Sequence, residues 1–353
     1  MVDVTSSDSL SSRMNRLPPA VTVVVPCLNE VRFIGAMLDG LRAQVGVDFE
    51  VVIADGGSTD GTVELIRQYG EKHSGLNLRI INNVKGCIPA GLNCAIRQAE
   101  SDIIVRLDAH SVPADDYVHH CLATLNETKA TVVGGVWEVR PGGPSVIALA
   151  IALAASSRLG AGNAQYRLNT RPSPREVDTV PFGCFHRETW TTVGAYNEKL
   201  LANEDYEFNY RVRRNGGRIL LDPAIRCAYF ARSNLMRLAL QYWRYGWWKA
   251  QMLKLHPQSL KWRQALPGAW IALAFGLPLA GFFSEVAWDA ACLVWIGYVT
   301  TLTVWSFGFV WKHGWRILLP LVETFAVIHF TWGLGLWFGL MGRADRKPGR
   351  AQE

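Results

Sequence analysis

Asp108-Ala-His110 closes an apolar run at residues 103–107. Two polar tips close earlier runs: Asn29-Glu30 after residues 21–25 and Pro26, and Asp55-Gly-Gly-Ser-Thr-Asp60-Gly after residues 49–54. Carboxylates grouped in one place repel one another, so such a group needs a cation, a ribose or a proton to compensate. Asp108 and His110, two residues apart at a strand end, can face the same side and offer an oxygen and a ring nitrogen to a divalent metal. Mg²⁺ prefers carboxylate and water oxygens, whereas imidazole is tolerated by Mn²⁺, so the pair reads as a metal site shifted toward Mn²⁺. A protonated His110 touching a phosphate is the other reading. Asp55-Gly56-Gly57-Ser58 taken alone is also an ordinary turn. A fourth acidic stretch, Asn203-Glu204-Asp205-Tyr-Glu207, precedes Phe208 and Arg211, Arg213 and Arg214. This is the pattern of an acid-fronted helix, in which Asp205 either takes part in chemistry or caps the helix.

The elements around these residues alternate. Short apolar runs at 21–25, 49–54, 78–81 and 103–107 read as buried strands, and helical patterns at 33–41, 62–69 and 90–99 separate them. That order predicts βαβ units and a parallel, doubly wound sheet, in which ligands bind beyond the carboxyl ends of the strands. The first three polar tips sit at those ends. Residues 145–156 are too short to span a bilayer and too apolar for an exposed helix, so they are expected to be buried or interfacial.

Composition divides the chain. Twelve of the fourteen Trp lie between Trp243 and Trp337, and residues 264–342 carry few charges. Residues 1–20 are polar and Ser-rich and read as a disordered tail, so the soluble portion is expected in the cytosol. Residues 21–232 read as the α/β domain, and 233–263, where Trp and Tyr mix with Arg244, Lys249 and Lys254, as an interfacial helical segment. Residues 264–342 read as two to three transmembrane helices, and 343–353 as a basic tail. The apolar stretches are 266–283, 287–311 and 317–341. The last, with Pro320, Glu323, His329 and a glycine-rich second half, is the candidate for a re-entrant segment. Seven scattered cysteines without a C-x-x-C pair argue against zinc and disulfides. The net charge of +6 is clustered beside apolar segments, which points to an anionic membrane surface rather than nucleic acid.

Pro26-Cys-Leu-Asn29-Glu30, Asp55-Gly-Gly-Ser58-x-Asp60-Gly61-Thr62, Asp108-Ala-His110 and Asn203-Glu204-Asp205-Tyr-Glu207, in that order, resemble the signature of the family 2 glycosyltransferases across residues 20–250. The Asp-Ala-His form, with Val180-Pro-Phe-Gly183-Cys-Phe and an apolar C-terminus, is similar to the succinoglycan-type exopolysaccharide enzymes of that family. The resemblance implies a GT-A fold with a doubly wound mixed sheet and a C-terminal membrane-associated helical region. It also implies inverting transfer from a nucleotide-diphosphate sugar, with UDP-glucose the expected donor. Pro26, Asn29, Glu30, Asp55, Asp60 and Asp108 would border the nucleotide sugar. Lys85, in Asn83-Val-Lys-Gly86, would do so too or be a solvent-facing lysine before a helix. Asp205 would be the general base, and Asp108 with His110 would hold Mn²⁺ or Mg²⁺. Gln241-Tyr-Trp-Arg244-Tyr245 resembles the Gln-x-x-Arg-Trp element of membrane polysaccharide synthases. It would place Gln241, Arg244 and Glu204 by the acceptor or diphosphate, unless Arg244 snorkels from an interfacial helix.

The expected function is therefore transfer of a hexose to a polyprenyl-diphosphate-linked oligosaccharide at the inner membrane, with the catalytic domain facing the cytosol beside other polysaccharide-assembly proteins. The alternatives are a processive synthase, a polyprenyl-phosphate glycosyltransferase and an inactive sugar-nucleotide-binding partner. A dinucleotide-dependent dehydrogenase is poorly matched, since no G-x-G-x-x-G follows the first strand.

Overall fold

The computed structural model describes residues 18–168 and 172–342. The expected disordered tail, apart from residues 18–20, and the whole basic tail 343–353 lie outside the described residues.

The chain opens with β1 (Val21–Cys27), α1 (Ile34–Arg42), β2 (Phe49–Asp55), α2 (Thr62–Lys72), β3 (Asn77–Asn82), α3 (Ile88–Arg97) and β4 (Ile103–Arg106). β1 is buried along its length and β2 along all but its first residue, as continuous apolar runs are when helices cover both faces of a sheet. There follow β5 (Ser111–Pro113), α4 (Tyr117–Thr128), β6 (Val132–Arg140), α5 (Val146–Ala155), α6 (Arg158–Ala161), α7 (Gln165–Leu168), β7 (Arg175–Glu176), β8 (Cys184–His186), α8 (Arg187–Val193), α9 (Glu204–Arg214) and β9 (Ile219–Phe230). The sheet runs β3-β2-β1-β4-β8-β6-β9-β5, with β7 also on β9. β3, β2, β1 and β4 are parallel, whereas β8 is antiparallel to both β4 and β6. The doubly wound mixed sheet that the resemblance implies is thus present, and the parallel sheet expected from the alternation is its β3-β2-β1-β4 half. Its parallel half brings the carboxyl ends of β1, β2 and β4, with their three polar tips, to one edge.

α10 (Leu235–Leu255), α11 (Trp262–Gly281), α12 (Glu285–His313) and α13 (Leu318–Met341) complete the chain. The last three lie in segments long and apolar enough to cross a membrane. α10 begins at Asn234, whose side chain accepts from the Arg237 N–H at 2.9 Å. It buries Leu238, Tyr242 and Gly246, four residues apart on one face. That face packs on α13 through small residues. A Cβ at Gly246 would stand 2.1 Å from Trp332 O, and one at Gly335 would stand 2.3 Å from Trp243 O. The glycine-rich half of α13 therefore serves close helix approach. It runs as one helix without the break that a re-entrant segment needs.

α5 is buried through most of its length from Ala148 on, with Val146 and Ile147 exposed at its start. Ser145 caps it by accepting from Ala148 N at 3.1 Å, and Ile151 and Ala154 pack in one cluster with Leu238, Tyr242, Leu321, Phe325 and Ile328. Burial of each large side chain in that cluster contributes roughly 1.5–3 kcal/mol. The cluster ties the sheet domain to α10 and α13. Several of the basic residues pair with acids of the protein itself, Arg211 in a partly buried setting and Arg218 and Lys261 nearer the surface. Arg211 pairs with Glu207 at 2.8 Å and donates to the carbonyls of Val193, Gly194 and Ala195. Arg218 pairs with Glu176 at 2.6 Å, and Lys261 with Asp178.

Candidate active site

The tips of β1 and β2 are laced together. Asn29 donates its N–H to Ser58 Oγ at 2.8 Å and accepts from Thr59 N at 2.9 Å. Asp60 accepts from Val31 N at 3.1 Å and from the Thr62 hydroxyl at 2.5 Å. The same Thr62 hydroxyl accepts from Glu30 N at 2.8 Å. These hydrogen bonds hold the Asp60 carboxyl below the usual carboxylate range against a burial effect that opposes them. Asp55 folds back on its own loop, accepting from Gly57 N, Ser58 N and Ser58 Oγ at 2.6–3.0 Å. Gly56 packs against Gly86, where an added Cβ would meet Gly86 Cα at 3.1 Å, and this fixes the loop of Lys85. Lys85 itself is exposed and ion-paired with Glu198. Asn29, Glu30, Asp60, Lys85 and Pro26 line the cleft. Asp55 stands behind them and shapes the loop.

The fourth motif joins this edge through a residue the spacing rules did not single out. Arg106, the last residue of β4, is 2% exposed. Its guanidinium meets Asp108 Oδ1 and Glu204 Oε1, each at 2.9 Å, and Asp205 Oδ1 as well. One cation thus holds three carboxylates. Burial, with Glu204 and Asp108 close by, outweighs the attraction of Arg106 and pushes the Asp205 carboxyl up to about 7. Asp205 does not cap its helix: Asn203 precedes α9 in a left-handed conformation, φ 64°, with no side-chain cap bond. Phe182 is left-handed too, φ 53°, a conformation costing about 1–3 kcal/mol for a bulky residue. Its ring lies 5.8 Å from the Arg106 guanidinium. Asn29, Phe182 and Asn203 all line the cleft, so the strained backbone is concentrated there.

His110 binds Glu30 Oε1 through Nδ1 at 2.9 Å. Burial would lower its pKa, but that bond and the charge of Asp108 raise it to about 9. Asp108 uses Oδ1 for Arg106, which leaves Oδ2, and His110 uses Nδ1 for Glu30, which leaves Nε2. Once His110 gives up its proton these two donors fit a divalent metal that completes its shell with diphosphate and water oxygens; with the proton kept, as the raised pKa favours without a metal, Nε2–H donates to a phosphate oxygen instead. The Glu30–His110 bond is the carboxylate–imidazole arrangement that orients a metal-ligating histidine. Among the described residues no three His, Cys, Asp or Glu side chains gather into a metal cage.

The cleft has a volume of about 2890 Å³, several times that of a pocket for one small ligand. From the strand tips it extends past Trp137, Tyr166, Arg167 and Tyr229 to Gln241, Tyr242 and Arg244 on α10, then to Trp270, Ile328 and Trp332 on α11 and α13. Gln241 donates to the hydroxyls of Tyr229 and Tyr245, each at 3.0 Å. The structure therefore brings Pro26, Asn29, Glu30, Asp60, Lys85, Asp108, His110, Glu204, Asp205, Gln241 and Arg244 to one cavity.

A mixed α/β sheet with these loops on one edge, followed by apolar helices, is a GT-A fold with a membrane-associated C-terminal region. The Glycosyl transferase family 2 profile matches residues 22–188. Over 346 residues the chain is 33% identical to the succinoglycan biosynthesis protein ExoA of Rhizobium meliloti (strain 1021), covering 95% of this chain and 98% of that one. It is 23% identical, over 69% of its length and 76% of the relative's, to a Methanococcus voltae enzyme named dolichyl N-acetyl-alpha-D-glucosaminyl phosphate 3-beta-D-2,3-diacetamido-2,3-dideoxy-beta-D-glucuronosyltransferase. A similar solved structure is the mannosyltransferase PcManGT of Pyrobaculum calidifontis, in complex with GDP-Man and Mn²⁺. It has a TM-score of 0.61 and 20% identity, and the match covers 90% of this chain and 88% of that one. The chain belongs to glycosyl transferase family 2 and is a glycosyltransferase.

Proposed function

We propose that the protein is an inverting hexosyltransferase of the inner membrane. It would move a hexose, with UDP-glucose the expected donor, onto a polyprenyl-diphosphate-linked oligosaccharide in cell-surface glycan assembly, with its catalytic domain toward the cytosol. The observation that carries this reading is the Asp205 carboxyl. It is held by Arg106 beside Asp108 and pushed up to about 7, in a cleft that joins the strand-tip loops to apolar helices. An acceptor hydroxyl attacks the anomeric carbon from the face opposite the nucleoside diphosphate. As the new C–O bond forms and the bond to the diphosphate breaks, Asp205 takes the hydroxyl proton and the nucleoside diphosphate leaves. Asn29, Glu30, Asp60 and Lys85 would border the nucleotide, with Asp55 shaping that loop.

Asp108 Oδ2 and His110 Nε2 would hold a divalent metal, Mn²⁺ favoured over Mg²⁺ by the imidazole. The metal would supply charge neutralisation at the departing diphosphate. The Mn²⁺ in PcManGT and the lipid-phosphate-linked sugar in the name of the M. voltae enzyme support these assignments. The domain limits 21–232, 233–263 and 264–342 fit the same reading: transferase, interfacial helix and membrane anchor.

The test is nucleotide diphosphate release from a panel of nucleotide sugars by the full chain with a lipid-linked oligosaccharide. Asp205→Asn is expected to lose about 10²–10⁴ in kcat with unchanged thermal unfolding, the usual contribution of a positioned base. Wild-type turnover in that variant would contradict the base assignment and would favour transfer onto a phosphate oxygen, which needs none.

A further inference from the structure

A second buried arginine in the cleft lacks what the first one has. Arg167, on α7, is 8% exposed and lines the cavity. Rings surround it: its guanidinium carbon lies 5.0 Å from the Trp137 centroid and 5.7 Å from those of Tyr166 and Tyr229. Among the described residues its one hydrogen bond is a long one, 3.5 Å from Nη1 to the Tyr242 hydroxyl, and Nε is buried with no partner there. No described carboxylate pairs with it, and the chain around it supplies none. There is no Asp or Glu between Glu138 and Glu176, or between Asp222 and Glu285. Those two stretches build α6, α7, α10, α11 and most of β9, which supply much of the cleft wall away from the strand tips; Tyr298 of α12 and Ile328, His329 and Trp332 of α13 add to it, and Glu176 and Asp178 line it without pairing with Arg167.

A buried guanidinium without a counter-ion is costly, and aromatic rings compensate only part of that cost. The aromatic cage keeps the guanidinium in place with N–H donors unused. The donor fork matches phosphate oxygens in planar, bidentate geometry, and the Tyr242 hydroxyl beside it adds another donor. Beyond Arg167 the cleft is lined by Trp270, Leu273, Ile328 and Trp332 of the apolar helices. An anionic group at Arg167 with a hydrocarbon tail toward those residues would match both halves of this wall.

We propose that Arg167 and its tyrosines form the binding site for the phosphate group of the lipid-linked acceptor, separate from the diphosphate site of the donor at Asp108 and His110. This rests on the glycosyltransferase reading above and names the chemistry by which that enzyme recognises its acceptor.

The test uses the full chain in detergent, with a polyprenyl diphosphate, the matching polyprenol, inorganic pyrophosphate and UDP as separate probes. Binding is read by tryptophan fluorescence. Wild type is expected to bind the polyprenyl diphosphate more tightly than either the polyprenol or pyrophosphate. Arg167→Gln should weaken polyprenyl diphosphate binding by about tenfold to a hundredfold, the range for a lost charge-assisted hydrogen bond. Its affinities for polyprenol and UDP should remain at wild-type values, and Arg167→Lys should recover part of the loss. Unchanged polyprenyl diphosphate affinity in Arg167→Gln would overturn the proposal, as would a loss of UDP affinity instead. Pyrophosphate binding as tight as the lipid's would overturn the assignment to a lipid. These readouts need no sugar transfer, so absence of hexose turnover would count against the proposed reaction and leave the phosphate site standing.

Discussion

Arg106 and Arg167 are both buried in the wall of one cleft, and each lies against aromatic rings, yet their surroundings have opposite charge. Arg106 faces Asp108, Glu204 and Asp205, more negative charge than it can neutralise. Arg167 faces Trp137, Tyr166 and Tyr229 and no carboxylate among the described residues. At the first site burial, helped by the surplus negative charge of Glu204 and Asp108, pushes the Asp205 carboxyl up to about 7. At the second the protein supplies a positive charge and leaves the anion to a ligand. On the proposed reading two substrates that each carry phosphate would be received at different ends of the cleft, one beside the proposed metal ligands and one beside an arginine.

The same substitution at the two arginines should separate them. Arg106→Gln leaves three crowded carboxylates without their cation and is expected to lower stability by about 3–5 kcal/mol, as breaking a buried ion pair does. Its transferase activity should be lost, with both effects read by thermal unfolding and nucleotide diphosphate release. A melting temperature equal to wild type would mean that the cluster is not held by Arg106. Glu30→Gln acts one step further out. It replaces the carboxylate that orients His110, and the Mn²⁺ concentration for half-maximal activity should rise about 10–100-fold. An unchanged Mn²⁺ curve would leave His110 as a phosphate contact. The smallest change is expected at the other arginine: Arg167→Gln removes an unpaired buried charge along with its ring contacts, and stability should stay within about 1 kcal/mol of wild type. A loss as large as that of Arg106→Gln would make Arg167 a structural residue and erase the contrast.

Much of this was legible in the sequence because it is written locally. The continuous apolar runs of β1 and β2 predict buried strands, their polar tips predict the ligand edge, and the helical segment read at 233–263 holds α10 (Leu235–Leu255) before the chain turns at 257–259 into α11. The second half of the sheet was not legible. β9 contains Asp222-Pro223 and pairs with β6 across a bulge at Gly134/Val136, and proline inside an apolar run argues against a central strand. β5 and β8 are three residues each, too short for any period to register. At the site, the identities of Asp108, His110 and Asp205 were visible, but their coupling was not. Arg106 meets Glu204 across 98 residues of chain, a contact that spacing rules cannot see. One signal was available: an arginine inside an apolar strand run must find a buried partner. For Arg167 the signal is the absence of acids, which becomes informative only when the fold shows that both acid-free stretches line the same wall.

In the proposed reaction Asp205 accepts the acceptor proton, and burial beside Glu204 and Asp108 raises its pKa. A base must be unprotonated to act, so kcat should be low in acid and rise with pH through about 7, the value to which burial and its neighbours push Asp205. Removing one neighbouring negative charge should ease its ionisation. The most direct measurement is therefore the pH profile of kcat for wild type and Glu204→Gln, at saturating donor, acceptor and Mn²⁺. Wild type is expected to show an inflection near neutrality that moves to lower pH in Glu204→Gln. A flat wild-type profile, or the same inflection in both proteins, would contradict it.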